Sequence, residues 1–481
     1  MLTKTKLQST LEKILSKDNV LSTPEECYVY AQDGTNGVAS EILPDAVVFP
    51  ETIEEIQKIL AYANENKIPV VARGAGTNLV GACIPEKGGI ILNFSKMNKV
   101  LEVNKTNMTA VAQAGATVGE IQQKAENVGL FFPPDPSNLR VSTIGGAIAQ
   151  SAGGAKTFKY GTTKDYVLGL KVILADGRLI NVGSNTIKNA TGYHLEQLFI
   201  GSEGTLGIVV EAILKLIPKP ETSRVVLAYF DDVDSATKSV NAMIDANLRP
   251  STIDFMNKNT LQTIEKFYPA GLLVDKESAL IIEVDGFECS METQIARLEE
   301  VLKKSGASDI VVSHTKEEQE RIWTSRRASF AATAKLKPDV ISNDLIVPRE
   351  NISKLVQGIN EICEKYSLPV SIVGHIGDGN VHPQIALDLN NSVEAENYEK
   401  AKAELYELTL NLEGTLSAEH GIGSEKRMYM EKAIDKDTLD CMRSVKKLFD
   451  PNNILNPNKI FDVEKWFKNM LYLLEILRDR S

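Results

Sequence analysis

Cysteine is scarce and scattered in this chain. Its five cysteines, Cys27, Cys83, Cys289, Cys363 and Cys441, form no C-x-x-C pair. That pattern argues against a disulfide scaffold and against a cysteine-ligated cluster, and it fits reduced thiols in a cytoplasmic protein. Positive charge is in deficit too. Lys and Arg number 53 against 64 Asp and Glu, a net charge of −11, so nucleic acid and anionic membrane surfaces are unexpected partners. A small anionic substrate stays open, because it responds to the local field. No window of about 18 uncharged apolar residues occurs, so no membrane span is expected. The stretch Leu7 to Leu15 carries Glu12 and Lys13 and reads as an amphipathic helix rather than a signal peptide. The dinucleotide fingerprint G-x-G-x-x-G is also missing. In Arg73-Gly74-Ala75-Gly76-Thr77-Asn78-Leu79, leucine takes the last glycine's place, which disfavours an NAD-type fold.

What is present is ordinary for a globular protein: 43% hydrophobic and 24% charged residues over 481 positions, enough for two or three domains. Pro44 to Pro50 reads as a short strand, and Thr52-Ile53-Glu54-Glu55 as a capping box opening a helix with an apolar stripe of Ile53, Ile56, Ile59 and Leu60. Ile68 to Ala72 is a second strand, running into the Arg73 glycine loop. Strand, helix, strand and glycine loop in that order suggest an α/β nucleotide-binding layout. Val167 to Leu174 and Arg178 to Val182, joined by Ala175-Asp176-Gly177, signal a hairpin. Pro218-Lys219-Pro220 punctuates the chain, and a domain boundary is placed there.

Further small-residue loops follow the first. Pro133-Pro134-Asp135-Pro136-Ser137 precedes Thr143-Ile144-Gly145-Gly146-Ala147, then Ser151-Ala152-Gly153-Gly154, Tyr160-Gly161-Thr162, and Gly201-Ser202-Glu203-Gly204-Thr205-Leu206-Gly207-Ile208. Glycine lets backbone N–H groups approach a phosphate or a flat ring closely. In this order and spacing, residues 40–220 resemble the flavin-binding domain of the vanillyl-alcohol oxidase superfamily. The resemblance implies a two-part α+β domain holding an extended FAD. Arg73, Gly74, Ala75, Gly76, Thr77 and Asn78 would meet the pyrophosphate. Pro134, Asp135, Thr143, Gly145, Gly146, Ser151 and Gly153 would surround the isoalloxazine and ribityl portions, and Ile208 the flavin edge or the adenine portion. Covalent members carry a histidine where this chain has Thr77, so noncovalent FAD is expected. His194 is read as a structural, hydrogen-bonded histidine.

Three of the five histidines lie in two short motifs of the second half: His375 and His382 in Gly374-His375-Ile376-Gly377-Asp378-Gly379-Asn380-Val381-His382, and His420 in Ser417-Ala418-Glu419-His420-Gly421-Ile422-Gly423. The Gly377-to-Asn380 turn can bring both rings of the first motif to one side. His375, His382 and Glu419 then make an open, three-ligand site for a divalent metal, with zinc, manganese and iron all suited to it. A 2-hydroxy acid could complete its shell, and His420 would take the hydroxyl proton while hydride leaves for flavin N5. Asp378 is the candidate partner orienting a ligand histidine. An anionic substrate needs a cation, and Arg326 and Arg327 stand about 100° apart on a predicted helix, so one of them should face the site.

This half resembles FAD-linked D-2-hydroxy-acid dehydrogenases, through Gly374 to His382, Ser417 to Gly423 with Lys426-Arg427, the Trp323-to-Arg326 spacing and Asp450 to Phe461. The resemblance spans roughly 40–460 and selects Arg326 for the substrate carboxylate. Residues 1–40 are expected as an N-terminal helical extension, 41–220 as the FAD-binding domain, 221–415 as an α/β substrate or cap domain and 416–461 as a segment completing the active site. Beyond Phe461, Trp466, Phe467, Met470, Leu471, Leu474 and Leu477 fall near helical spacing, so 462–481 read as an amphipathic tail helix. In 2-hydroxyglutarate enzymes a lysine stands two residues before the aspartate here numbered Asp344; this chain has Ser342, which favours lactate or glycolate over a dicarboxylate. No sequence for NAD, iron–sulfur or haem binding is present, so the expected electron acceptor is a protein such as an electron-transferring flavoprotein. The rival readings are glycolate or D-2-hydroxyglutarate oxidation, a non-redox flavoprotein of the same superfamily, and a flavin-free metal hydrolase.

Overall fold

The computed structural model describes residues 4–37 and 40–462, so the expected tail helix lies outside the described residues. Three large sheets, with a two-stranded pairing of Leu130–Phe131 and Ile217–Pro218 beside them, organise the rest. The first runs in the order Val20–Leu21, Ala46–Val48, Ile90–Asn93, Val70–Arg73, with its last three strands parallel. The helix Ile53–Asn66 makes the crossover. The Thr52/Glu55 capping box starts it, Lys67 in the left-handed region ends it, and Ile56, Ile59, Leu60 and Ala63 form the buried stripe. The N-terminal segment does more than add a helix. After Lys4–Ile14, the strand Val20–Leu21 closes the edge of this sheet by pairing with Val47 and Val48.

A five-stranded antiparallel sheet follows, in the order Val100–Asn104, Thr109–Gln113, Ile208–Lys215, Val167–Ile173, Leu179–Gly183. The helix Ile144–Gln150 packs Ile144, Ala147 and Ile148 into the core of this sheet, and Ala114 and Ile208 pack into the core of the first.

Eight strands form the third sheet, with Thr222–Phe230, Ser278–Gly286, Thr252–Asn257, Val370–Gly374 and Asn380–Leu387 at its centre. Alternation along these strands feeds two cores. Val226, Ala228, Phe230, Leu280 and Ile282 pack under Val233–Asp245, Glu288–Lys304 and Ile352–Lys365. Val225, Leu227, Tyr229, Met256 and Ile281 pack under Lys258–Phe267, Lys316–Arg327 and Ser329–Thr333. Asp254 shares strand parity with Met256, and therefore faces the helix that carries Arg326.

Residues 416–461 return from the third sheet to the first two. Val70 N–H donates to Ile454 O and Asn456 N–H to Val70 O, at 2.7 and 2.8 Å. Asn456 Nδ2 donates to the carbonyls of Ala82 and Glu203, and the buried Lys446 pairs with Asp450 at 2.5 Å while donating to Thr205 O. This return places Glu419 and His420 against the cleft of the first half. Among the described residues, no helix is long and apolar enough to cross a membrane.

Candidate active site

A cleft runs between the first two sheets, lined by Arg73 to Leu79, Thr143, Gly145, Gly146, Gly153, Glu203, Gly204, Gly207, Ile208, Glu419 and His420. Its walls are bare because the backbones are pressed together. A Cβ on Gly74 would collide with the Thr143 hydroxyl, and one on Gly153 would lie 2.6 Å from Glu419 Oε2. Asn78 Oδ1 accepts from the N–H groups of Val80 and Ala82 at 3.2 and 2.9 Å, leaving its buried Nδ2 without a partner. The Gln150 Oε1 acceptor is likewise unpaired. A glycine cradle with unpaired buried amides fits a large polar cofactor with phosphates.

The second group of residues gathers around Glu419. His375 leaves the strand Val370–Gly374, the chain turns through Gly377-Asp378-Gly379, and His382 comes back opposite Val373. His382 Nε2 and His375 Nε2 stand 3.4 and 3.8 Å from Glu419 Oε1. These spacings are long for hydrogen bonds. Donors that share one ion at about 2.0–2.2 Å lie about 3–3.6 Å apart; the His382 spacing falls in that range and the His375 spacing just beyond it. His382 Nδ1 is buried and unpaired. Two imidazoles and a carboxylate within 4.8 Å of one another thus fit a divalent metal. Burial pushes the Glu419 carboxyl up to about 7. Burial also opposes charge on His375, but Asp254 and Glu419 outweigh it and raise that imidazole to about 9.

The partner of His375 is Asp254, not Asp378. His375 Nδ1 lies 3.0 Å from Asp254 Oδ1, and Asp254 Oδ2 lies 2.5 Å from Arg326 Nε. One buried carboxylate therefore orients both a ligand candidate and the arginine. Asp378 Oδ2 is buried without a partner, and burial lifts its carboxyl to about 6. Arg327 points away, paired with Glu320 on the surface.

His420 stacks on His382, with ring centroids 5.3 Å apart and planes 6° from parallel. Its loop is held by Asp344. One oxygen of that carboxylate accepts from Ser417 Oγ at 2.6 Å, and from the N–H groups of Ala418, Glu419 and His420 at 2.8, 3.0 and 3.0 Å. The other accepts from Asn380 Nδ2 at 2.9 Å. Although Asp344, His382 and His420 also cluster, the Asp344 lone pairs are committed to the loop. Burial lowers the basicity of His420 more than Asp344 restores it, which leaves a neutral imidazole able to accept a proton.

Comparison with known proteins finds two family models along the chain. Residues 44–194 match the family model described as FAD binding domain, and 219–460 match FAD linked oxidases, C-terminal domain. The glycolate oxidase subunit GlcD of Bacillus subtilis is 42% identical over 433 residues, covering 90% of this chain and 92% of that one. The D-lactate dehydrogenase of Archaeoglobus fulgidus is 37% identical, covering 86% and 90%. The D-2-hydroxyglutarate dehydrogenase of Stutzerimonas stutzeri is 33% identical, covering 94% and 98%. The chain belongs to the FAD-linked D-2-hydroxy-acid dehydrogenase family. It is an FAD-dependent oxidoreductase of 2-hydroxy acids. The fold agrees: p-cresol methylhydroxylase superposes with a TM-score of 0.82 at 17% identity, over 96% of this chain and 97% of that one. The 4-ethylphenol oxidase of Gulosibacter chungangensis gives 0.76 at 16% identity, over 95% and 97%. Both belong with the vanillyl-alcohol-oxidase-type two-part fold expected from the loops.

Within this dehydrogenase, not every residue expected at the flavin lines the cleft. Pro134, Asp135 and Ser151 stand behind the lining. The Pro134 carbonyl accepts from Gln122, Asp135 accepts from Lys156 N–H at 3.1 Å, and Ser151 is the left-handed cap of Ile144–Gln150. The Arg73 guanidinium is engaged within the protein, donating to Gln32 O at 2.8 Å. His194 is exposed and bonded to Glu196 at 2.8 Å, outside the active site. Sequence reading missed Asp254 and passed over the role of Asp344. The available signal was an acid inside an otherwise buried run, Thr252–Asn257.

Proposed function

We propose that the enzyme oxidises D-lactate to pyruvate and passes the electrons to a protein acceptor such as an electron-transferring flavoprotein. One observation carries the chemistry: Glu419 and His420 line the same cleft as the glycine loops while Glu419 also faces His375 and His382. The base and the ligand set thus stand where a hydroxy acid would lie between cofactor and cation. FAD, when bound, supplies a two-electron acceptor, and Thr77 in place of a histidine supports its noncovalent attachment. A divalent metal held by His375, His382 and Glu419 would acidify the substrate hydroxyl. Arg326, steadied by Asp254, binds the carboxylate, and His420 removes the hydroxyl proton. Ser342 in place of a cation supports a monocarboxylate. The GlcD relative favours glycolate as a second reading. The few scattered cysteines and the absence of a long apolar helix among the described residues support a cytoplasmic setting.

Anaerobic titration of the FAD-loaded protein with D- and L-lactate, glycolate and D-2-hydroxyglutarate tests the proposal. D-lactate is expected to bleach the flavin at the lowest concentration; faster bleaching by glycolate or by D-2-hydroxyglutarate would displace it. Arg326→Ala should cost about 2–4 kcal/mol in kcat/KM, mainly through KM, as a lost buried carboxylate contact does. Arg327→Ala should change little, because its partner Glu320 is exposed. Equal damage from the two would remove Arg326 from the carboxylate role.

A further inference from the structure

The segment after Gly153-Gly154 does more than line the cofactor cleft. Lys156 and the short helix Thr157–Tyr160 reach across to the strand Ser278–Gly286 of the third sheet. Lys156 Nζ pairs with Glu283 Oε1 at 3.0 Å, and both side chains are largely buried. Lys159 Nζ pairs with Asp285, and Tyr160 Oη donates to the same carboxylate at 2.8 Å. Glu283 is shared, because its other oxygen accepts the Trp323 indole N–H at 3.1 Å.

Trp323 precedes Arg326 by three positions on the helix Lys316–Arg327, so the two lie one turn apart on one face. Glu283 is in register with Thr252. Asp254 is therefore its diagonal neighbour on the same sheet face, with Cβ atoms about 7–8 Å apart. The arginine-bearing helix is pinned to the sheet at two acids: Asp254 grips Arg326, and Glu283 grips Trp323. Only Glu283 is also held by a cation from the flavin-binding half.

We propose that Lys156, Glu283 and Trp323 are positioning residues that set Arg326 over the substrate carboxylate, so that the flavin-binding half tunes substrate recognition in the other half. The inference rests on the reading of Arg326 as the carboxylate-binding group. Without Lys156, Glu283 is a partly buried anion with only an indole for a partner. It is then free to compete with the substrate carboxylate for Arg326, a uniform-binding loss that appears in KM rather than kcat.

The test is anaerobic flavin bleaching by D-lactate with the FAD-loaded full chain. In Lys156→Met the half-saturating concentration should rise by about tenfold while the limiting rate stays within about twofold, the signature of weakened ground-state binding. Lys156→Arg should restore wild-type behaviour. Tyr160→Phe loses a bond to Asp285, which does not touch the Arg326 helix, and should leave half-saturation unchanged. Should Lys156→Met fail to retain FAD, Trp323→Phe removes the same link from the helix side and carries the same expectation. Wild-type half-saturation in Lys156→Met or in Trp323→Phe overturns the proposal, as does an equal rise in Tyr160→Phe, which would mark a general joint effect. If the wild type bleaches with no 2-hydroxy acid, the proposed function itself falls and takes this inference with it.

Discussion

His420→Ala is expected to keep its FAD and lose its reaction. Bleaching by D-lactate should slow by about 10²–10⁴-fold, the usual contribution of a positioned general base. Retention of the cofactor is expected because His420 is one residue among many that line the cleft, with Arg73 to Leu79, Thr143, Gly145, Gly146, Gly204, Gly207 and Ile208 all left in place. The loop should also survive. His420 is tied to Asp344 through its main-chain N–H, which alanine retains. What disappears is an imidazole that lines the cleft and stacks on His382. Dithionite should still reduce the variant's flavin, separating a lost base from a lost cofactor. Bleaching by D-lactate at the wild-type rate would remove His420 from the proton-transfer role.

The parts of the site legible in the sequence were those in which chemistry is packed into a short stretch. Gly374 to His382 announces a turn that returns two imidazoles to one side, and the strand register bears this out by setting His382 opposite Val373. The supporting carboxylates were not legible, because they arrive through sheet register. Asp254 lies 121 residues before His375 and reaches it only because Thr252–Asn257 pairs with Val370–Gly374. Asp378 drew attention by proximity in sequence. Its turn, however, leaves Oδ2 buried and unpaired, while the Nδ1 side of His375 faces the neighbouring strand. The N-terminal segment misled in a similar way. Its helix has a clear apolar period, but nothing local signals that Val20–Leu21 closes a sheet edge, or that Gly34 N–H donates to Gly76 O beneath the glycine loop at 2.9 Å.

Asp344 and Asp378 are both buried acids, and the structure assigns them opposite consequences. In Asp344→Asn one terminal atom becomes a donor. Placed toward Ser417, it confronts the hydroxyl and the three N–H groups that now converge on an oxygen; placed the other way, it confronts Asn380 Nδ2. The lost charge also leaves Lys426, whose Nζ is 3.8 Å away and almost fully buried, without its anion. Breaking a buried, multiply bonded charge typically costs about 3–5 kcal/mol, so denaturant unfolding of Asp344→Asn should shift by that amount and the Ser417-to-His420 loop should lose its set. Asp378→Asn removes no bond at Oδ2 and relieves a carboxyl that burial lifts to about 6, so it should be at least as stable as wild type at neutral pH. The two variants also differ in acid. The positive groups and loop donors around Asp344 overcome its burial and hold its carboxyl well below the usual range. Its stabilisation is therefore present at neutral pH and lost only as pH falls through that depressed value. The gap between wild type and Asp344→Asn should accordingly persist through mildly acidic pH and close only in strong acid. An Asp344→Asn protein as stable as Asp378→Asn at neutral pH would mean that the loop carrying Glu419 and His420 is held by something other than this carboxylate.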